Sequence, residues 1–324
     1  MPDTKSWSVP RDLQPDPRDL DFEFDAALGA VVMLHAEIPD DAFTASILGT
    51  ERIGNGVVIR DDGLILTIGY LVTEAESIWI TANDGTVVAG HPLAYDFASG
   101  LGLVQPLGRL HAPALVRGTA AELEPGDEVI VIGHGGQAHA LAARIFAKRE
   151  FAGYWEYVLD EALFTTPPHP QWSGAALVTK EGLLVGIGSL FVQEALDGEV
   201  IKGNMFVPVD LLAPILDDML TSGRPGGQPR PWLGMYTGEE QGRLLVNGLA
   251  EGGPAALAGV RPGDVVTAVA GERVGGLAEL FRAVWRQGPA GTAIPLTLAR
   301  DGAPIEVEVR SRERNDFLKK PRLQ

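Results

Sequence analysis

Apolar residues fall in short runs for most of the chain, and each run stops at a turn signal. The runs at 57–59, 64–67, 78–81, 128–132 and 183–187 are rich in Val, Ile and Leu and have strand lengths. Asp61-Asp62-Gly63, Asn83-Asp84-Gly85 and Lys180-Glu181-Gly182 lie beside them and predict tight turns. The first apolar run, 26–34, predicts the first strand. Short strands joined in this way fit two packed antiparallel barrels over residues 26–220. Helical spacing is rare. Leu211, Leu212, Ile215 and Leu216 predict one short helix over 210–219.

Composition narrows the class. The chain has 324 residues, enough for two or three domains. It is 45% hydrophobic and 21% charged, and its 40 Gly and 23 Pro suit a turn-rich, mainly β protein. A net charge of -17 repels nucleic acid and anionic membrane surfaces, so neither is expected as a partner. There is no Cys, which excludes disulfides and thiol catalysis. His35, His91, His111 and His139 show no metal-ligand spacing, so no metal and no cofactor is expected.

Residues 1–25 form a polar arm without the apolar core of an export signal, which predicts a cytoplasmic protein. No run approaches the roughly 20 apolar residues of a spanning helix. By composition the arm is partly disordered. Residues 221–231, rich in Gly and Pro, predict an interdomain linker, and the polar tail 311–324 is expected to fray.

The segment Gln171-Trp172-Ser173-Gly174-Ala175-Ala176-Leu177-Val178 resembles the nucleophile loop G-N-S-G-G-P-L-V of HtrA/DegP-type serine proteases. Six more matches follow in register. Gly54-Asn55-Gly56-Val57 and Asp62-Gly63-Leu64-Ile65-Leu66-Thr67 are similar to G-S-G-V and D-G-Y-I-L-T. Gly100-Leu101-Gly102-Leu103, Val129 to His134, Gly182 to Gly188 and Phe206-Val207-Pro208-Val209-Asp210 match later family strings. Trp232-Leu233-Gly234-Met235 and Gly252 to Val266 resemble the carboxylate-binding loop and the following segment of a PDZ domain. The resemblance implies a trypsin-like double antiparallel β-barrel followed by a C-terminal PDZ domain over 232–310, with its second helix at 277–287. In this family an N-terminal arm with aromatic residues, here Trp7, Phe22 and Phe24, often builds a homotrimer.

The resemblance also shows what is missing. The catalytic His falls on Tyr70 and the catalytic Asp on Gly100. A serine needs a base to take its proton and a carboxylate to orient that base. A phenol, with an ordinary pKa of about 10, is not a ready base near neutral pH. In one worked triad, loss of the Ser or the His alone costs about 10⁶ in turnover. The Gly that donates an oxyanion N–H falls on Gln171, and Trp172 replaces a small Asn. His134 and His169 are the candidates for a substitute base. The leading expectation is a proteolytically inactive adaptor, scaffold or accessory subunit that binds peptide or protein C-termini. An active endopeptidase with a non-standard base and a holdase chaperone are the alternatives. The predicted peptide site is Trp232, Leu233, Gly234 and Met235 for the carboxylate, with Phe281 and Trp285 along the groove. Leu277, Leu280 and Val284 should face the core.

Overall fold

The computed structural model describes residues 7–196 and 199–319. These divide into two compact units. The second comprises Glu150–Asp160 and Gly227–Leu318, and the first holds the remainder.

Among the described residues, the first unit contains two closed six-stranded barrels. In barrel one, β1 (Val31–Glu37), β2 (Glu51–Val58), β3 (Ile65–Ile68), β4 (Ser77–Thr81), β5 (Val87–Tyr95) and β6 (Leu101–Pro106) run in the order β1-β2-β3-β6-β5-β4. It closes because β1 pairs with both β2 and β4, Leu34 lying opposite Gly54 and Ile80. Period-two alternation sends Leu34, Val58, Ile65, Ile80 and Val104 to one face, the barrel interior, where all are buried. In barrel two, β7 (Glu128–Ile132), β8 (Ala140–Gly153), β9 (Tyr157–Thr166), β10 (Ala176–Val178), β11 (Leu184–Leu196) and β12 (Glu199–Pro208) run β10-β11-β12-β9-β8-β7. Its core gathers Val131, Ile145, Leu163, Leu177, Val185 and Phe206. The predicted mainly β, trypsin-like architecture is therefore present.

Three expectations change in the first unit. The apolar run 26–34 does not form one strand: Phe24–Gly29 is a short helix, and β1 begins only at Val31. The described part of the arm is ordered. Val9 is buried and its N–H donates to Ala138 O at 2.8 Å, while the Trp7 ring packs edge-on against His139 and His169. Its apolar residues cover barrel two, which outweighs the polarity of the rest. The expected helix 210–219 is a 3-10 turn at Val209–Leu211 followed by a helix at Leu216–Ser222.

In the second unit, β13 (Met235–Glu240), β14 (Arg243–Leu249), β15 (Val265–Val269), β17 (Ala293–Arg300) and β18 (Ala303–Arg310) form one antiparallel sheet in that order, and β16 (Glu272–Arg273) pairs with β15. β13 is an edge strand. The helix Leu277–Arg286 buries Leu277, Leu280 and Val284 as the spacing predicts, and Phe281 with them. Residues 311–319 do not fray as expected. Trp232 and Arg312 exchange backbone hydrogen bonds of 3.0 and 3.1 Å, the Trp232 ring packs on Phe317, and Ser311 is buried. The unit thus takes in more chain than 232–310. Residues 320–324 lie outside the described residues.

Candidate functional site

Ser173 sits in the turn ahead of β10, and Tyr70 lies in the 3-10 turn Gly69–Leu71 that follows β3. The two barrels bring the pair together: Tyr70 Oη is 2.7 Å from Ser173 Oγ and 2.7 Å from the Ser189 carbonyl oxygen. A phenol has one proton, and a carbonyl can only accept. The Tyr70 proton therefore goes to Ser189, and Ser173 must donate to Tyr70. Burial, opposed by hydrogen bonds from Ser173 and Trp172, pushes the Tyr70 phenol up to about 12. At pH 7 the phenolate fraction is then about 10⁻⁵. Arg52 holds this turn from behind. Its buried guanidinium donates to Tyr70 O at 2.7 Å and Thr73 O at 3.0 Å, and burial lowers it to about 10.

At the position of the catalytic Asp, Gly100 offers only its backbone, whose carbonyl accepts from Gly69 N at 2.7 Å. Its φ of 81° lies in the left-handed region. The nearby Asp96 carboxylate is engaged by the N–H groups of Ala98 and Ser99 at 3.0 and 2.8 Å.

The oxyanion position is also altered. Gln171 N donates to His169 Nδ1 at 3.1 Å, and His169 Nε2 lies 3.0 Å from His139 O. His139 O can only accept, so His169 carries its proton on Nε2 and is neutral. Burial lowers it to about 4. The side chain proposed as a substitute base is thus fully buried and occupied by the loop's own backbone. Burial also lowers His134, and among the described residues no hydrogen bond joins its imidazole to Ser173. Trp172 packs on Phe191 with ring centres 5.8 Å apart.

Sequence reading missed the residue that holds this loop. Asn55, on β2, donates from Nδ2 to Gln171 O at 2.8 Å and Ser173 O at 3.0 Å, and from its backbone to Ser173 O at 2.8 Å. Its Oδ1 accepts from His134 N. Asn55 stands where the family string G-S-G has Ser, and that longer amide was the one signal available. Gly174 completes the fit: its φ is 71°, and a Cβ there would lie 1.9 Å from Asn55 O.

In the second unit, the loop that opens β13 does present its N–H groups to a carboxylate. That carboxylate is Glu156, at the tip of the β8–β9 hairpin. It accepts from Leu233 N at 3.1 and 3.2 Å, Gly234 N at 2.7 Å and Met235 N at 3.2 Å. Trp232 donates instead to Arg312, so it is not part of the cradle. Phe281 is buried in the core and Trp285 stacks on it, with the Arg230 guanidinium 4.3 Å above the Trp285 ring. Phe281 is therefore core and not groove wall, whereas Trp285 is only half-buried.

Residues 54–187 match the family model of a trypsin-like peptidase domain, and residues 245–300 match that of a PDZ domain. The chain is 26% identical over 274 residues to a probable periplasmic serine endoprotease DegP-like of Chlamydia trachomatis, covering 79% of this chain and 53% of that one. It is 24% identical over 318 residues to a serine protease Do-like HtrA of Lactobacillus helveticus, covering 88% and 75%. The chain spans about half the length of the Chlamydia relative. Among solved structures, the serine endoprotease from Yersinia pestis superposes with a TM-score of 0.53 at 23% identity, covering 90% of this chain and 98% of that one. The HtrA-type protease AlgW with tripeptide does so at 0.53 and 18%, covering 93% and 99%. The peptidase match falls on the double barrel and the PDZ match on the sheet of the second unit, so the chain has a trypsin-like domain followed by a C-terminal PDZ domain and is similar in sequence to HtrA/DegP-type proteases.

Proposed function

We propose that this HtrA/DegP-like chain does not hydrolyse peptides and serves as a binding protein, an adaptor, scaffold or accessory subunit, through its PDZ domain. The observation that carries this reading is the Ser173 proton donated to a phenol whose own proton is committed to Ser189. The Gln171 N–H bonded to His169 supports it independently, because an oxyanion would find that donor already taken. The test is a fluorophosphonate probe and a casein assay on the purified chain. Neither should exceed the Ser173→Ala control. Labelling and turnover that vanish in Ser173→Ala would overturn the reading.

The names of the relatives favour the other reading, an active endopeptidase, and Ser173 is in place for one. The same assay decides between them. A holdase role would show as binding of unfolded chains that needs no free C-terminus.

A further inference from the structure

The carboxylate loop of the PDZ domain is filled, and the residue that fills it comes from far upstream in the chain. Residues Glu150–Asp160 belong to the second compact unit, although both arms of their hairpin continue as strands of barrel two. Three features make this tip resemble a bound peptide. Its Glu156 carboxylate takes the three successive N–H groups of Leu233, Gly234 and Met235, the cradle that a chain terminus uses in this mode of recognition. The Tyr154 carbonyl accepts from Thr237 N at 3.2 Å, a backbone bond on the free edge of β13. Val158 is buried in the same apolar cluster as Leu233, Leu277 and Phe281, with Ala152 packed against it.

Further contacts fix the tip in place. Arg314 donates to Trp155 O at 3.2 Å, and the rings of Tyr154 and Tyr236 meet edge to face. Arg282, on the helix that borders the tip, pairs with Glu150 and Asp160, one on each arm of the hairpin. Glu156 itself holds a φ of 62°, a conformation unfavourable to a side-chain-bearing residue. A Gly would adopt it freely, yet the position carries the one side chain that reaches the loop.

We propose that the hairpin tip is the resident ligand of this PDZ domain, with the Glu156 side-chain carboxylate seated where a partner's C-terminal carboxylate would sit, so that a partner C-terminus binds only by displacing it. The inference rests on the PDZ half of the proposed function and is independent of whether Ser173 is active. It makes the loop a competition site, in which apparent affinity is the intrinsic affinity multiplied by the fraction of molecules whose tip is undocked.

The test uses the full chain and the variants Glu156→Gly and Glu156→Gln. Gly removes the carboxylate and suits the left-handed backbone, so folding is not put at risk; Gln keeps the shape and removes the charge. Hydrogen exchange at the Leu233, Gly234 and Met235 amides reads the seat directly and should quicken at least about tenfold in Glu156→Gly. A fluorescein-labelled decapeptide ending in a free Val carboxylate should bind Glu156→Gly at least about tenfold more tightly than the wild type, and its amidated twin should bind neither. Unchanged exchange, or equal carboxylate-dependent affinity in wild type and variant, overturns the proposal and leaves the peptide-binding reading intact. Quickened exchange with no peptide bound by any of the proteins upholds the resident ligand and sinks the peptide-binding reading instead.

Discussion

The hydroxyls of Tyr70 and Ser173 share one hydrogen bond of 2.7 Å, and the Ser189 carbonyl sets its direction. In a working triad the serine proton points at a nitrogen able to keep it. Here it points at a phenol oxygen that, with its pKa raised to about 12, keeps its own proton near neutral pH and so is no base for a second.

Replacing Tyr70 and Gly100 together should not restore a protease. Tyr70→His with Gly100→Asp supplies a base and a carboxylate, but Asp would enter a backbone φ of 81° and Gln171 N would remain bonded to His169. Casein turnover of the double variant should stay at the Ser173→Ala level. Robust cleavage would show that the loop is competent as it stands.

Tyr70→Phe should destabilise the first unit. It strips the partner from the Ser189 carbonyl and from Ser173 Oγ, at about 1–3 kcal/mol for polar groups left unpaired. A domain of this size loses about 2–4 °C of Tm per kcal/mol, which calorimetry resolves. A Tm equal to the wild type would mean that water replaces the phenol without cost.

The seat of Glu156 should depend on pH. Burial pushes its carboxyl up from 4.5 to about 7, against the opposing pull of the Leu233, Met235 and Gly234 amides and of Arg314. Arg314 and Tyr236 are the charged and titratable groups that interact with it. A pKa raised in the folded state adds stability that is complete below the unfolded value of 4.5 and is lost as pH rises through 7. Between pH 6 and pH 8 the wild type should therefore lose up to about 1.4 kcal/mol relative to Glu156→Gly, as read by urea unfolding. A change of the opposite sign would mean that the loop holds the anion better than water does.

Much of the frame was legible because it is local. The period-two runs, the Gly turns and the string around Ser173 each depend on a few neighbouring residues, and the barrels followed from them, while the PDZ domain followed from the family resemblance of 232–235 and 252–266. What escaped was set by partners far apart in sequence. Asn55 lies 116 residues from Gln171, whose carbonyl it binds, and Glu156 lies 78 residues from Gly234. No periodicity connects such positions. The arm and the tail misled for a related reason: their overall polarity hid the few residues, Trp7, Val9, Ser311 and Phe317, that anchor them.

The second unit is assembled from two stretches of chain, and this changes what a binding measurement on part of it would mean. Tethered to the loop it occupies, the tip of the β8–β9 hairpin acts at an effective concentration that for short tethers is of millimolar order. An excised fragment 232–310 would leave that competitor behind. Under the proposed competition it would report a dissociation constant for an empty loop, whereas on the intact chain a C-terminal peptide would have to displace Glu156.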